Sequence, residues 1–258
     1  SWISNSIIEG SSAERGGGAL FLNSNGGTDA YEHIIQHSIV RDNTATQTGG
    51  GIDNYDSHVS VRNSIVEDNE AGTNGGGLYS WGDTTDSLEI LNSVIRDNDA
   101  QNGAGFYTSG SQIKLANAIV EGNDAIGNGG GFFIEMPTSG SYVENATIYG
   151  NTADEAGGGN VLAAAGYGTL TFVNVDLSYN EADTYAGINI SGPHTGDCSF
   201  NAYGNTSAFS DDTSTDCVET EIDPGYINPI IGDFHLSASS GLVDMGFGSI
   251  YDPDGCSS

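Results

Sequence analysis

Residues 63–77 read NSIVEDNEAGTNGGG, and residues 92–105 read NSVIRDNDAQNGAG. Each stretch has an Asn, a small residue and two aliphatic residues, followed by a second Asn, an Ala and a glycine-rich run. Versions of this phrase recur roughly every 25–32 residues, and the copies begin at Asn5, His37, Asn63, Asn92, Asn117, Asn145 and Asn174. Self-similarity at this period identifies a solenoid, in which stacked copies share a core that one copy cannot bury alone.

The segments between the glycine runs have the composition of β-strands. Val, Ile, Phe and Tyr fill short runs between Gly, Asn and Asp, and no helical period is sustained. We therefore predict an all-β fold, a single-stranded parallel β-helix of about seven to eight coils. Residues 1–196 are predicted to form its coils. Residues 197–258 are predicted to add the last irregular coils, a Cys-flanked loop and a closing segment to the same solenoid.

Repeated positions should form ladders along the axis, because neighbouring strands lie about 4.8 Å apart. The two Asn ladders are Asn5, Asn63, Asn92, Asn117, Asn145 and Asn174, and Asn43, Asn69, Asn98, Asn123, Asn151 and Asn180. The Ala ladder is Ala45, Ala71, Ala100, Ala125, Ala153 and Ala182. Asn tolerates left-handed backbone angles and can bond to the copies above and below, so we interpret these ladders as scaffold. Which of the two aliphatic residues of the phrase points inward stays open.

Charged residues also repeat along the axis. One ladder alternates in sign through Arg41, Glu67, Arg96 and Glu121. Beside it runs a column of carboxylates, Asp42, Asp68 and Asp97. Opposite charges on adjacent strands attract by roughly 0.2–1 kcal/mol per pair, whereas stacked like charges need a counter-charge. Two interpretations stay open: the arginines supply that charge, or the three carboxylates bind calcium.

Composition excludes some classes of partner. The chain has 258 residues, with 5 Lys and Arg against 35 Asp and Glu, for a formal net charge of -30. Nucleic acid is excluded as a partner, since phosphates need Lys and Arg to replace their counterions. The acidity fits either a saline habitat or dedicated calcium sites. No apolar stretch of about 18 residues occurs, so no helix of this chain is expected to enter a membrane.

The cysteines and the first repeat bear on localisation. Cys198 and Cys217 flank a loop rich in Ser, Thr and Asp, and a disulfide between them would fit an oxidising compartment. Cys256 is then left over. The first repeat is already under way at Asn5 and no signal peptide precedes it, so we expect an upstream coil or cap. The expected location is extracellular or at the cell surface.

Short motifs resemble two known groups. Residues 17–20 (GGAL) fit the Gly-Gly-Ala-aliphatic signature of the polymorphic outer-membrane protein repeats, and residues 40–43, 66–69 and 95–98 look like their Phe-x-x-Asn element with an aliphatic residue first. Residues 223–255 are similar to the ends of bacterial right-handed parallel β-helix proteins. The resemblance implies a right-handed β-helix that is secreted or displayed on bacteria. It also implies a fold shared with pectate lyases and other polysaccharide-processing enzymes.

Candidate chemistry is sparse. Arg41 and Arg96, beside the carboxylate column, are the one set with the ingredients of a lyase, an arginine base and calcium ligands. Asp252 and Asp254, in the DPDG stretch, fit either a calcium site or a turn. No zinc-ligand spacing, nucleophile elbow or polygalacturonase signature occurs. A glycosidase uses two carboxyl groups, and among 35 acidic residues a pair at suitable spacing is expected by chance. The sequence therefore does not identify such a pair.

Aromatic residues follow several glycine runs. Tyr55 and Trp81 are predicted to point outward and to stack on sugar rings, whereas Phe106, Phe132 and Phe133 could equally stack inside the coil. The leading hypothesis is a non-catalytic stalk or adhesin that contacts glycans or cell-surface partners, stabilised by calcium. The alternative is a carbohydrate-active enzyme, a polysaccharide lyase or glycosidase, with a cleft along one face. An Arg–Asp cluster flanked by aromatics in one groove would favour the enzyme.

Overall fold

A computed structural model describes residues 1–23, 32–162, 168, 170–191, 198–201, 203–205, 210–211, 217–220 and 222–242. The predictions on Asp252, Asp254 and Cys256 fall outside these residues. The described chain is all-β apart from one short 3-10 helix, Pro229–Ile231. Within it, no helix has the length and apolarity to cross a membrane.

The strands are short and evenly distributed. The first sixteen are β1 (Trp2–Ser4), β2 (Ile7–Glu9), β3 (Ser12–Ala13), β4 (Leu20–Asn23), β5 (Glu32–Gln36), β6 (Ile39–Arg41), β7 (Thr44–Ala45), β8 (Ile52–Tyr55), β9 (His58–Arg62), β10 (Ile65–Glu67), β11 (Glu70–Ala71), β12 (Leu78–Trp81), β13 (Ser87–Leu91), β14 (Val94–Arg96), β15 (Asp99–Ala100) and β16 (Phe106–Ser109). The others are β17 (Gln112–Ala116), β18 (Ile119–Glu121), β19 (Asp124–Ala125), β20 (Phe132–Glu135), β21 (Ser141–Tyr149), β22 (Thr152–Ala156), β23 (Gly159–Leu162), β24 (Leu170–Ser178), β25 (Glu181–Thr184), β26 (Ile188–Ser191), β27 (Cys198–Asn201), β28 (Ser210–Asp211), β29 (Cys217–Thr220), β30 (Tyr226–Asn228) and β31 (Asp233–Leu236).

Three parallel sheets form the walls of a β-solenoid. Sheet A has fourteen strands (β1, β2, β5, β6, β9, β10, β13, β14, β17, β18, β21, β24, β27 and β29), sheet B seven (β3, β7, β11, β15, β19, β22 and β25) and sheet C eight (β4, β8, β12, β16, β20, β23, β26 and β28). The predicted fold class is confirmed, with about six turns instead of seven to eight. Seven stacked copies of one phrase are separated by six complete turns, which accounts for the smaller number.

The first Asn of the phrase makes a corner inside sheet A. Asn63 and Asn92 have φ angles of 48° and 50°, and the equivalent residues of the other copies are also left-handed. Asn is among the few residues that adopt this conformation readily. The corner resolves the open question of parity. The fourth residue of the phrase faces the interior, as Val66 and Ile95 are fully buried, while the third, such as Ile65, lies half-buried on the outside.

The second Asn ladder lies inside the coil. Asn69 Nδ2 donates to Asn98 Oδ1 at 3.0 Å, and Asn98 Nδ2 donates to Asn123 Oδ1 at 2.9 Å. The backbone N–H of Asn69 also donates to Asn98 Oδ1, at 3.0 Å. Each fully buried amide therefore has partners in its own coil and the next, as burial requires. The predicted ladder is confirmed.

The Ala ladder lines the interior beside sheet B. Ala71, Ala100 and Ala125 are at most 4% exposed and belong to a separate alanine cluster. The glycine runs close the neighbouring corner. A Cβ on Gly76 would lie 2.4 Å from the carbonyl oxygen of Asp99 in the next coil, closer than real contacts allow. Methyl groups and glycines thus let the walls approach each other.

The closing segment folds back onto the outside of sheet A. β30 and β31 pair antiparallel around the 3-10 helix. Tyr226 Oη donates to the buried carboxylate of Asp176 at 2.5 Å, and the rings of Tyr226 and Phe234 lie 5.9 and 5.1 Å from the ring of Tyr149. The Tyr226 hydroxyl also hydrogen-bonds Thr147, so the segment is attached to the solenoid by polar contacts and an aromatic cluster.

The two cysteines of the predicted disulfide lie on adjacent strands. β27 pairs with β29 in a register that puts the backbone of Cys198 opposite that of Cys217. Neighbouring strands are separated by about 4.8 Å, within the Cα separation that a disulfide bridges. The bond itself stays a prediction.

Candidate functional site

The alternating ladder is a set of ion pairs on the outside of sheet A. Arg41 Nη2 lies 2.7 Å from Glu9 Oε2, and Arg96 Nη2 lies 2.6 Å from Glu67 Oε2. Arg96 Nη1 is 3.8 Å from Glu121 Oε1 in the following coil. The hydrogen bonds that Arg41 and Arg96 donate to Glu9 and Glu67, respectively, raise the pKa of the two guanidinium groups. Both arginines therefore stay protonated, which suits an ion pair better than the base of a lyase.

The carboxylate column lies where the backbone turns. Asp42, Asp68 and Asp97 have φ angles of 54°, 54° and 53°, and Gly122 and Gly150 continue the column at 60°. Asp and Gly share a tolerance of this left-handed conformation, which explains why they replace one another here. The corner therefore accounts for the column without a metal ion.

Calcium binding at this column stays a prediction. Burial, followed by repulsion from Asp97, raises the pKa of Asp68. Burial likewise raises the pKa of Asp97, against the effect of Arg96, whose Nε lies 3.9 Å from Asp97 Oδ2. Within the described residues, no group of three or more His, Cys, Asp or Glu is placed to hold a metal ion.

A cleft of about 300 Å³ lies where the closing segment crosses the ladder. Its walls are Arg96, Asp97, Glu121, Gly122, Tyr149, Gly150, Ile230, Ile231 and Gly232. The volume is at the lower end of the range for small-molecule sites. Burial raises the pKa of both Glu121 and Asp97. The cleft therefore combines two carboxyl groups of raised pKa with a protonated arginine and a tyrosine. It thus has the Arg–Asp cluster named for the enzyme alternative, flanked by the single aromatic ring of Tyr149.

The outer face of sheet C is aromatic. Inward positions of its strands hold Ile52, Leu78, Phe106 and Phe132, all fully buried, whereas the alternate positions point outward. Six outward rings form what we call the aromatic surface: Phe21, Tyr55, Tyr79, Trp81, Tyr107 and Phe133. Of the three phenylalanines whose direction was open, Phe133 points outward and the other two inward.

The rings of the aromatic surface form two rows. Tyr55 lies between Phe21 and Trp81, with ring centroids 6.4 and 4.8 Å apart. In the second row Tyr107 stacks between Tyr79 and Phe133 at 5.5 and 5.1 Å. Stacking within each row is itself stabilising, and it uses ring faces that a ligand would need. The ends of the first row are the accessible rings, since Phe21 is 56% and Trp81 39% exposed.

The register explains why Trp81 ends its row. The next residue in its outward column is Ser109, which has no ring to continue the stack. After Ser109 the column reaches Glu135, whose Oε2 accepts a hydrogen bond from Tyr107 Oη at 2.7 Å. Trp81 therefore combines an exposed indole with a carboxylate two strands further along its own column. The outward direction predicted for Tyr55 and Trp81 agrees with the alternation along β8 and β12.

Sequence reasoning missed a carboxyl group within the aromatic surface. Asp53 occupies the outward position between Phe21 and Tyr79, yet it is only 1% exposed. Thr48 Oγ1 donates to its Oδ2 at 2.6 Å, and its Oδ1 has no hydrogen-bond partner among the described residues. Burial raises the pKa of Asp53 to about 6. The sequence signal for this carboxyl group is a single acidic residue among the aromatic residues of one outward column, and it can be recognised only once the strand register is known.

The comparisons with known proteins give no family. No family model matches the chain, and no curated protein or solved structure matches it either. The parallel β-solenoid is therefore established by the structure alone. A shared fold does not define a function, so the function depends on the chemistry of the surfaces of the solenoid.

Proposed function

We propose that this chain is a non-catalytic module of a secreted or surface-displayed bacterial protein, a stiff stalk or adhesin that binds glycans through the aromatic surface. The carrying observation is the exposed indole of Trp81 at the end of a row of rings on the outer wall of the coil. Exposed apolar patches on a soluble fold mark interaction sites, and an aromatic ring offers a flat apolar face to a sugar ring. In this proposal calcium stabilises the coil by binding at the carboxylate column.

The test is retardation in native gels that contain polysaccharides of different charge. Trp81→Ala should lose most of the retardation seen for the parent chain. Tyr185→Asn is the matched control, because Tyr185 is equally exposed, at 40% against 39%, and lies outside sheet C. The substitution also preserves the left-handed backbone of that position, where φ is 50°. Equal losses in both variants, or no retardation of the parent, would refute the proposal.

A second candidate function is glycoside hydrolysis in the cleft. The observation that favours it is the pair Asp97 and Glu121, both with raised pKa values, next to Tyr149 in one groove. A glycosidase needs one carboxyl group as acid and another as base or nucleophile. New reducing ends from a polysaccharide panel, lost in Glu121→Gln, would support this function. Their absence across the panel would leave the binding module.

A further inference from the structure

We propose that the aromatic surface takes a cationic amino-sugar chain, such as β-1,4-linked glucosamine, in preference to uronate or neutral glycans. The inference rests on the proposed glycan binding and adds the charge of the sugar.

The first border of Trp81 is an exposed carboxylate two residues further along the chain. Asp83 Oδ1 accepts hydrogen bonds from the backbone N–H and the hydroxyl of Thr85, both at 2.7 Å. These bonds lower the pKa of Asp83, and the bond from the backbone N–H has the larger effect. Asp83 is therefore an anion at neutral pH. The side chain of Asp86 lies beneath, with its Oδ2 accepting the N–H of Asp83 at 2.9 Å. This turn therefore holds an ionised carboxylate two residues after Trp81 in the chain.

The second border is Glu135, in the same outward column as Trp81. The register runs from Trp81 through Ser109 to Glu135, two strand spacings or about 9.6 Å. Glu135 is half-buried and stays aimed along the surface by the hydrogen bond from Tyr107. A short oligosaccharide lying on the indole can thus bring ammonium groups near both carboxylates.

Positive charge is scarce around the aromatic surface. The described strands of sheet C contain neither Lys nor Arg. Of the 5 basic residues in the sequence, Arg41, Arg62, Arg96 and Lys114 pair with carboxylates on sheet A, and the fifth, Arg15, is exposed in the turn before β4. A ligand that brings its own positive charge is therefore complementary to this surface, and a polyuronate is repelled.

The experiment uses Trp81 as the reporter. The chain has 2 Trp residues, so Trp2→Phe leaves Trp81 as the only indole. Its fluorescence is titrated with a glucosamine tetramer and with the same tetramer N-acetylated, at pH 6 and low salt. N-acetylation removes the positive charge and keeps the sugar rings. The amine should bind at least tenfold more tightly. Equal affinities would overturn the charge inference and leave glycan binding intact, whereas no response to any saccharide would overturn both.

Nonspecific attraction to a protein of charge -30 needs its own control. Tetralysine carries the charge without the sugar and should not change the Trp81 emission. Asp83→Asn with Glu135→Gln should reduce the preference for the amine to within about twofold. Asp154→Asn with Asp183→Asn removes the same charge from exposed positions on sheet B and should preserve the preference. An equal loss in both double variants would mean that only overall charge acts, and would refute the site.

Discussion

The two asparagine columns differ in conformation and burial although their spacing along the chain is the same. Asn92 is exposed, with φ at 50°, and makes the corner of sheet A. Asn98 is fully buried and exchanges amide hydrogen bonds with the coils on either side. The first position needs a backbone conformation, and the second needs a side-chain amide.

This difference predicts that glycine is tolerated at the first position and destabilising at the second. Asn92→Gly should change the free energy of unfolding by less than about 1 kcal/mol, because Gly adopts left-handed angles freely. Asn98→Gly should lose several kcal/mol, since each buried group left unsatisfied costs roughly 1–3 kcal/mol. Urea unfolding of the two variants measures both values. A loss of unfolding free energy for Asn98→Gly as small as that for Asn92→Gly would show that the buried amide ladder contributes little.

Asp53 makes stability depend on pH. Its pKa is about 6 in the folded chain against 3.8 in the unfolded chain, so the folded state binds the proton more tightly. The stabilisation that this gives is complete below about pH 4 and is lost as pH rises through about 6. Asp53→Asn should therefore gain stability relative to the parent between these values, by at most about 3 kcal/mol. Asp154→Asn, at an exposed position, is the control, and a pH-independent difference for Asp53→Asn would contradict the assignment.

At the scale of the elements, the sheet B corner depends on small side chains. Ala100→Leu should overpack the interior and cost about 1–3 kcal/mol. Gln101→Leu introduces the same side chain at an exposed neighbour and should change the melting temperature little. Thermal unfolding followed by circular dichroism compares the two. An unchanged melt for Ala100→Leu would mean that the interior has room for a larger side chain.

The ion-pair ladder predicts a conditional effect of calcium. Arg96→Ala leaves Glu67, Asp97 and Glu121 without the cation that lies within 2.6–3.9 Å of them. Added calcium should therefore raise the melting temperature of this variant more than that of the parent. Arg62→Ala, which breaks pairs with Glu32 and Glu89 elsewhere on sheet A, is the comparison. An equal calcium response in Arg96→Ala and the parent would remove the carboxylate column as a calcium site.

At the scale of the whole molecule, the coils were predictable because they repeat. The contacts of the closing segment were not, because they involve no repeat. Equivalent positions stack in register, so the sequence alone predicted the Asn, Ala and charged ladders. Asp176 occupies the third position of the phrase, where most copies have an aliphatic residue. In the structure it accepts a hydrogen bond from Tyr226, 50 residues away, and the cleft forms only because the closing segment returns to sheet A. No repeat relates these two regions, so their contact carried no sequence signal.

The aromatic surface was partly predictable for the same reason. Tyr55 and Trp81 stood out as residues after glycine runs, but the alternation along each strand was needed to place Phe133 outside and Phe132 inside. Asp53 also follows a glycine run, but the sequence does not show that its side chain is buried among aromatic residues. That burial, seen only in the structure, is what raises its pKa.

The most direct test of glycan binding by sheet C is hydroxyl-radical footprinting of the chain with and without the polysaccharide that retards it most. This measurement reports the side-chain accessibility of both candidate surfaces in one experiment. Phe21 and Trp81 are expected to lose reactivity on binding, while Ile230 and Ile231, beside the cleft, keep theirs. Protection of the two isoleucines with no change at Trp81 would contradict the proposal and place the glycan in the cleft.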